Sequence, residues 1–269
     1  MEILKDRSFQ LVTAGNFFFH LTFTTFFLLP LYVQSLGGDE AEIGIIMGSF
    51  GLTSMFLIPL VGNLLDRYGR KPFLMLGCVL MAAVSLAFGL IRDYDPILFG
   101  ALRALQGASF SCAFIAANTL IVDFAQPSER ARAIGYFGVF TLVTHALGPM
   151  IGEVLHGVIG YRFGFLVSAG WSLLGLLFVF PLREPDRMEM SLGVYPPRES
   201  IGMRLRTPLA TALLTGASFV AVVIFVPVLM ENRGLLPVST FFIGYTAAAV
   251  AMRLFCGGLS DRWGRRPTI

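Results

Sequence analysis

Between Ser8 and Gly258 the chain is a succession of long apolar stretches, each parted from the next by a short charged or polar break. No other feature limits the fold as severely. About 20 apolar residues suffice to cross a bilayer as a helix, and eight such segments in one chain exclude a water-soluble core. The breaks place spans near Ser8–Val33, Ala41–Val61, Pro72–Ile91, Ile97–Phe124, Ala133–His156, Phe163–Pro181, Thr207–Met230 and Thr240–Gly258. The expected class is therefore an all-α membrane protein. With 55% hydrophobic and only 14% charged residues, the composition lies outside the soluble range. The first apolar run, Ser8 to Leu36, leads into others of similar length, so no cleaved leader is expected. Cys78, Cys112 and Cys256 sit in separate runs, without CxxC spacing or a nearby His. That pattern predicts no disulfide, no metal and no cofactor.

Orientation follows from the bases. Fifteen of the 20 Lys and Arg fall on one side if the N-terminus, the Glu129–Arg132 loop, the Arg183–Arg206 stretch and two charge knots share that side. The other side keeps Arg92, Arg162 and Arg233, while Arg103 and Arg253 lie within spans. The positive-inside rule then predicts a cytoplasmic N-terminus in an inner membrane. The first loop of the opposite side, "GGDEAE", is acidic.

The two knots are alike. "GNLLDRYGRKP" carries Gly62, Asp66, Arg67, Gly69, Arg70 and Lys71, and "GGLSDRWGRRP" repeats the order with Gly257, Asp261, Arg262, Gly264, Arg265 and Arg266. Topology alone explains basic turns but not this order, kept at positions 195 residues apart. Each aspartate closes the second helix of a block if the polar stretch 182–206 links two blocks. That gives a domain plan of residues 1–181 as a six-helix bundle, 182–206 as a cytoplasmic linker and 207–269 as the start of a second bundle. Here the sequence resembles the major facilitator superfamily of secondary transporters, whose signature between helices 2 and 3 is this pattern, with a weaker repeat between helices 8 and 9. The resemblance implies a major facilitator fold with a complete N-terminal bundle and the first two helices of the C-terminal one. The chain stops at Ile269, where the family would begin a ninth helix, so a truncated product is expected.

Three further patterns carry the resemblance or add to it. In the fourth span, "LRALQGASFS", Arg103, Gln106 and Gly107 match the family's Arg-x-x-Gln-Gly motif. An arginine at depth costs at least about 2.5 kcal/mol on insertion scales and is by default functional, although a structural Arg bonded to nearby carbonyls is the plain alternative. The resemblance implies a cavity-facing base tied to proton coupling or anion binding. In the fifth span, Gly138, Gly148, Pro149 and Gly152 follow a pattern that marks proton-coupled antiporters in the family, with Glu153 where a second Gly is usual. Gly138, Thr141, His145, Gly148 and Gly152 share one helix face, which suits close packing; the resemblance implies contact with the eighth span through Gly244, Ala248 and Ala251. In the first span, Thr13, Asn16, His20 and Thr24 fall within an arc of about 80°. Asn16, His20, Arg103, Gln106 and His145 are therefore the expected cavity lining, with His20 and His145 both roughly 17–18 Å from the basic side. Either histidine is a candidate proton carrier or a packed, hydrogen-bonded residue.

The charge-free third and sixth spans read as lipid-facing. Asp123 ends the fourth span near the first knot, and an acid at a helix C-terminus needs a partner. The resemblance implies an Asp66–Arg70–Asp123 network acting as a conformational latch. It also implies alternating access, most simply H⁺-coupled efflux of a small amphipathic molecule or drug. The rivals are an importer of a sugar or organic anion and a non-transporting receptor or assembly factor of the same fold. No Walker A, GxSxG or HExxH pattern appears, so neither an enzyme nor a nucleic-acid partner is expected; the partners are protons, substrate and lipid around a monomer.

Overall fold

A computed structural model of the chain describes residues 3–184, 206–235 and 237–256. Apart from turns, the described residues form helices only. These are α1 (Arg7–Thr25), α2 (Leu29–Ser35), α3 (Glu40–Tyr68), α4 (Lys71–Leu90), α5 (Pro96–Phe124), α6 (Arg130–Val179), α7 (Arg206–Asn232) and α8 (Val238–Cys256).

Local chemistry sets most of the boundaries. Asp6 caps α1 by accepting from Phe9 N at 2.8 Å. Asp39 and Glu42 form a reciprocal capping box at the start of α3, and Asp95 followed by Pro96 opens α5. The second span runs farther than its hydropathy suggests, through Asp66 and Arg67 to Tyr68. It stops where Gly69 adopts φ 96°, a left-handed value that only glycine takes without strain. Pro72 then sits in the first turn of α4. The first span is broken by a 3₁₀ turn at Phe26–Leu28, ahead of Pro30. At 50 residues, α6 is about 75 Å long and cannot be one span of a core about 30 Å thick. Gly160, at φ 80°, divides it into the fifth and sixth spans.

α1 is the central helix, enclosed by α4, α5 and both halves of α6, while α3 packs on α5. Lipid offers no hydrophobic gain for helix association, so small residues and hydroxyl bonds bring the helices together. A Cβ on Gly77 would lie 2.6 Å from Ala113 Cβ, and one on Gly15 would lie 2.5 Å from Val179 Cγ2. Ser109 Oγ donates to Gly77 O at 2.8 Å, and Thr22 Oγ1 to Ser168 O at 2.8 Å. α4 and the sixth span present outward leucines, such as Leu90 and Leu177, but their serines turn inward. Ser172 Oγ donates to Cys78 O at 2.8 Å and Ser85 Oγ to Phe165 O at 3.1 Å, both fully buried. An unpaired hydroxyl in lipid would cost more than one donated to a neighbouring carbonyl, so a peripheral span still buries its polar stripe.

The fifth span packs against α8, as its family pattern implies, but Gly148 and Gly152 of its small-residue face lie elsewhere. A Cβ on Gly148 would fall 2.0 Å from Thr24 Oγ1, and one on Gly152 would fall 2.9 Å from Leu28 Cδ1. Both glycines, with the buried Pro149 beside them, therefore adjoin the first span. Of the glycines, only Gly138 meets α8, and what lies on it is the Arg253 guanidinium rather than backbone. Among the described residues a Cβ on Gly244 would meet nothing within 4 Å; α8 turns Phe242, Thr246 and Val238 inward instead. Phe242 stacks on Phe27 of the first span at 5.4 Å. Gly148→Val is expected to destabilise the bundle by about 2 kcal/mol, since Thr24 backbone leaves no room for the side chain. Thermal unfolding in detergent measures this, and an unchanged midpoint would contradict the packing described.

Candidate cavity and charge cluster

Two regions gather the polar groups singled out in the sequence. The first is a cavity of about 360 Å³ between α1, α3, α5, the fifth span and α7. Its wall is mainly aromatic, from Phe23, Phe27, Phe50, Phe110, Phe114 and Phe219. Against that wall stand His20, Arg103, Thr141 and His145.

Each histidine is held in the same way. His20 Nδ1 lies 3.1 Å from Asn16 O, and His145 Nδ1 lies 3.1 Å from Thr141 O, one turn back along each helix. A carbonyl can only accept, so Nδ1 carries the hydrogen in both rings and Nε2 is left as the basic nitrogen. His20 is 3% exposed and packs edge-on against Phe19, Phe23 and Phe110. A second pocket of about 200 Å³, lined in part by Asn118, Gly138 and Arg253, shares His20, Phe114 and Thr141 with the cavity. His20 thus borders both spaces.

Arg103 is 4% exposed. Its Nη1 donates to Gln106 Oε1, and its guanidinium lies 4.9 Å from the centroid of Phe50. Among the described residues it has no carboxylate partner, and its Nε makes no hydrogen bond. It is therefore held by an amide and a π-face, which leaves its charge unneutralised.

Two residues expected in the lining lie behind it. Asn16 is 1% exposed and donates from Nδ2 to Thr141 Oγ1 at 2.9 Å, tying α1 to the fifth span. Gln106 is fully buried, with Nε2 on Met81 Sδ at 3.4 Å and its carbonyl on Arg103. A polar helical face pointed to Asn16 and a motif to Gln106, but each turns its amide nitrogen toward a neighbouring helix, Asn16 to Thr141 and Gln106 to Met81. The aromatic wall was not singled out from the sequence. Its signal was the high Phe count, which cannot by itself separate cavity from core.

The second region is the charge cluster at the basic ends of the helices. Arg70 Nε and Asp123 Oδ2 form an ion pair at 3.0 Å, with side chains 10% and 15% exposed. Asp66 stands farther off, 3.7 Å from Arg70 Nη2 and 61% exposed. The pair centres on Asp123, with Asp66 at its rim. Arg67 is exposed, and a Cβ on Gly62 would meet nothing within 4 Å among the described residues. Gly69 supplies the turn. Lys71 links the knot to the end of the sixth span: its backbone N–H donates to Glu184 and its Nζ to Phe180 O at 2.7 Å. Glu184 thus caps α4 where Arg70, at the cap position, does not. No motif marked Glu184, because its partner is a backbone amide 113 residues away. The second knot, Gly257, Asp261, Arg262, Gly264, Arg265 and Arg266, lies outside the described residues.

A family model, the Major Facilitator Superfamily, matches residues 11–269. The chain belongs to this superfamily. Among curated members it is 24% identical to the quinolone resistance protein NorA of Staphylococcus aureus (strain MSSA476) over 225 residues, 83% of this chain and 54% of that protein. It is also 24% identical to multidrug resistance protein 1 of Bacillus subtilis (strain 168) over 238 residues, 86% of this chain and 57% of that one. The chain spans about half the length of the curated relatives it matches. A solved superfamily structure of the same fold is a bacterial homolog to the human lysosomal transporter Spinster, inward-facing and unoccupied. It gives a TM-score of 0.69 at 21% identity, over 97% of this chain and 62% of that one. The peptide transporter POT in complex with sulfate gives 0.56 at 17% identity, over 87% and 48%. As a superfamily member the chain is a multi-pass membrane protein, its fold the six-helix N-terminal bundle joined by α7 and α8 of the second.

Proposed function

We propose that this protein is a secondary active transporter that exports a small amphipathic molecule in exchange for protons, by alternating access between two helical bundles. The observation that carries the reading is the aromatic cavity between the bundles, lined by two histidines and an arginine that has no carboxylate partner among the described residues. An apolar wall with few polar groups suits drug-sized amphipathic ligands. Resistance proteins among the relatives favour the same substrate class. His20 and His145, each with Nε2 free to take up a proton, are the proposed proton carriers. Arg103 supplies a positive charge whose effect changes when either ring protonates. The Arg70–Asp123 pair and Asp66 are the proposed latch on the cytoplasmic side, and the second knot, Gly257 to Arg266, is proposed as its copy.

The basic face is assigned to the cytoplasm from the distribution of Lys and Arg, with the N-terminus on that side of an inner membrane. Domain limits of 1–181, 182–206 and 207–269 accompany this reading, with the protein acting as a monomer. The test uses the complete protein in everted vesicles, with internal pH followed as a panel of amphipathic dyes and drugs is added. Substrate-dependent proton release from energised vesicles is the expected result. A proton leak indifferent to every substrate, or uptake that runs without protons, would exclude coupled efflux.

A further inference from the structure

α8 starts without a cap of its own. The residue before Val238 is Pro237, which carries no side-chain acceptor, yet the first N–H groups of a helix need one, most of all away from water. Both find it in Glu153 of the fifth span. Val238 N donates to Glu153 Oε1 at 2.9 Å, and Ser239 N donates to Oε2 at 3.0 Å. Val238 is 2% exposed and Ser239 9%. The carboxylate faces the positive end of the α8 dipole, so these are charge-assisted bonds. They join the two bundles near the face opposite the Arg70–Asp123 pair. Phe27 stacked on Phe242 adds to the closure there, as does Gln34 Nε2 donating to Asn232 Oδ1 at 2.8 Å. The Gln34–Asn232 bond is neutral and exposed, so water replaces it readily. The Glu153 pair is half-buried, and opening this face breaks both bonds at once.

We propose that Glu153 is the outer gate latch: it caps α8 across the bundle interface and so favours the conformation closed to the outside. The assignment rests on the alternating-access reading. It also gives a reason for an acid at a position where the family pattern has glycine, because a glycine would leave α8 uncapped. Opening would free the carboxylate to water and bare the first turn of α8, so the two bonds act together on one conformational equilibrium.

Nitroxide labels on Val158→Cys, 79% exposed, and Thr240→Cys, also exposed, would report the distance between the outer ends of the fifth span and α8 in the complete protein with its native cysteines replaced. Glu153→Ala is expected to lower the closed-to-open ratio at least about tenfold, and Glu153→Gln, which keeps one carbonyl acceptor, to lower it less. Glu231→Gln removes a carboxylate from the same small pocket without touching α8, and is the control expected to leave the ratio unchanged. Should Glu153→Ala fail to fold, Val238→Pro removes one donor at a helix position that tolerates proline. Combined with Glu153→Gln, it should lower the ratio by less than the two single effects together. Identical distance distributions in wild type, Glu153→Ala and Val238→Pro would overturn the latch. The readout needs no substrate, so that outcome leaves the transport reading intact, whereas a working latch in a protein that moves no substrate would count against transport alone.

Discussion

Asp123→Asn is expected to cut transport per inserted molecule at least about tenfold, with insertion and expression near normal. The substitution leaves Arg70 buried with only the distant Asp66, and removing one member of a buried pair costs about 3 kcal/mol. A loss of that size falls on whichever conformation holds the pair closed, and about 1.4 kcal/mol already changes a two-state ratio tenfold. Asp66→Asn is expected to do less, because its carboxylate is 3.7 Å from Arg70 and mostly solvated. Transport normalised to surface-accessible protein ranks the two. The reverse ranking would mean that Asp66 makes its main contact in the opposite conformation, against the second bundle.

Arg103 carries the second large effect. Arg103→Ala should abolish substrate-dependent proton movement, and Arg103→Lys should not restore it. A lysine has no planar fork, so it cannot both lie along the Phe50 ring and donate to Gln106 as the guanidinium does. The alanine variant also frees Gln106 Oε1 in a fully buried position, which adds a desolvation cost to the lost charge. Binding of a fluorescent amphipathic substrate separates the two consequences. Binding lost in both variants with His20 and His145 intact would place Arg103 at the substrate. Full activity in Arg103→Lys would show that charge alone suffices.

The helices were legible because hydropathy and length are local properties of a chain in lipid. Asp6, Asp39 and Asp95 even mark three of their starts. What escaped was whatever depended on two helices meeting. The second span outran its apolar stretch because Asp66 and Arg67 are compatible with a last helical turn, and only Gly69 is not. Asn16 and Gln106 lay on the right faces, but turning their amide nitrogens toward Thr141 and Met81 is a tertiary matter. Ser85 and Ser172 belong to spans that read as lipid-facing for want of charge, and their bonds to the carbonyls of Phe165 and Cys78 exist only once those helices meet. Glu153 was visible only as a departure from a pattern, and its use appears once the uncapped start of α8 is brought beside it.

The bond between Glu184 and the α4 amide has a mechanical side. Glu184 follows the sixth span, within the proposed linker to the second bundle. Its carboxylate and the Lys71 ammonium, which grips Phe180 O, form a cleat beside the Arg70–Asp123 pair. A pull from the second bundle along the chain would therefore bear on the turn after Gly69 before it reached the body of the sixth span. Movement of one bundle would be felt first at the charge pair, through the covalent chain.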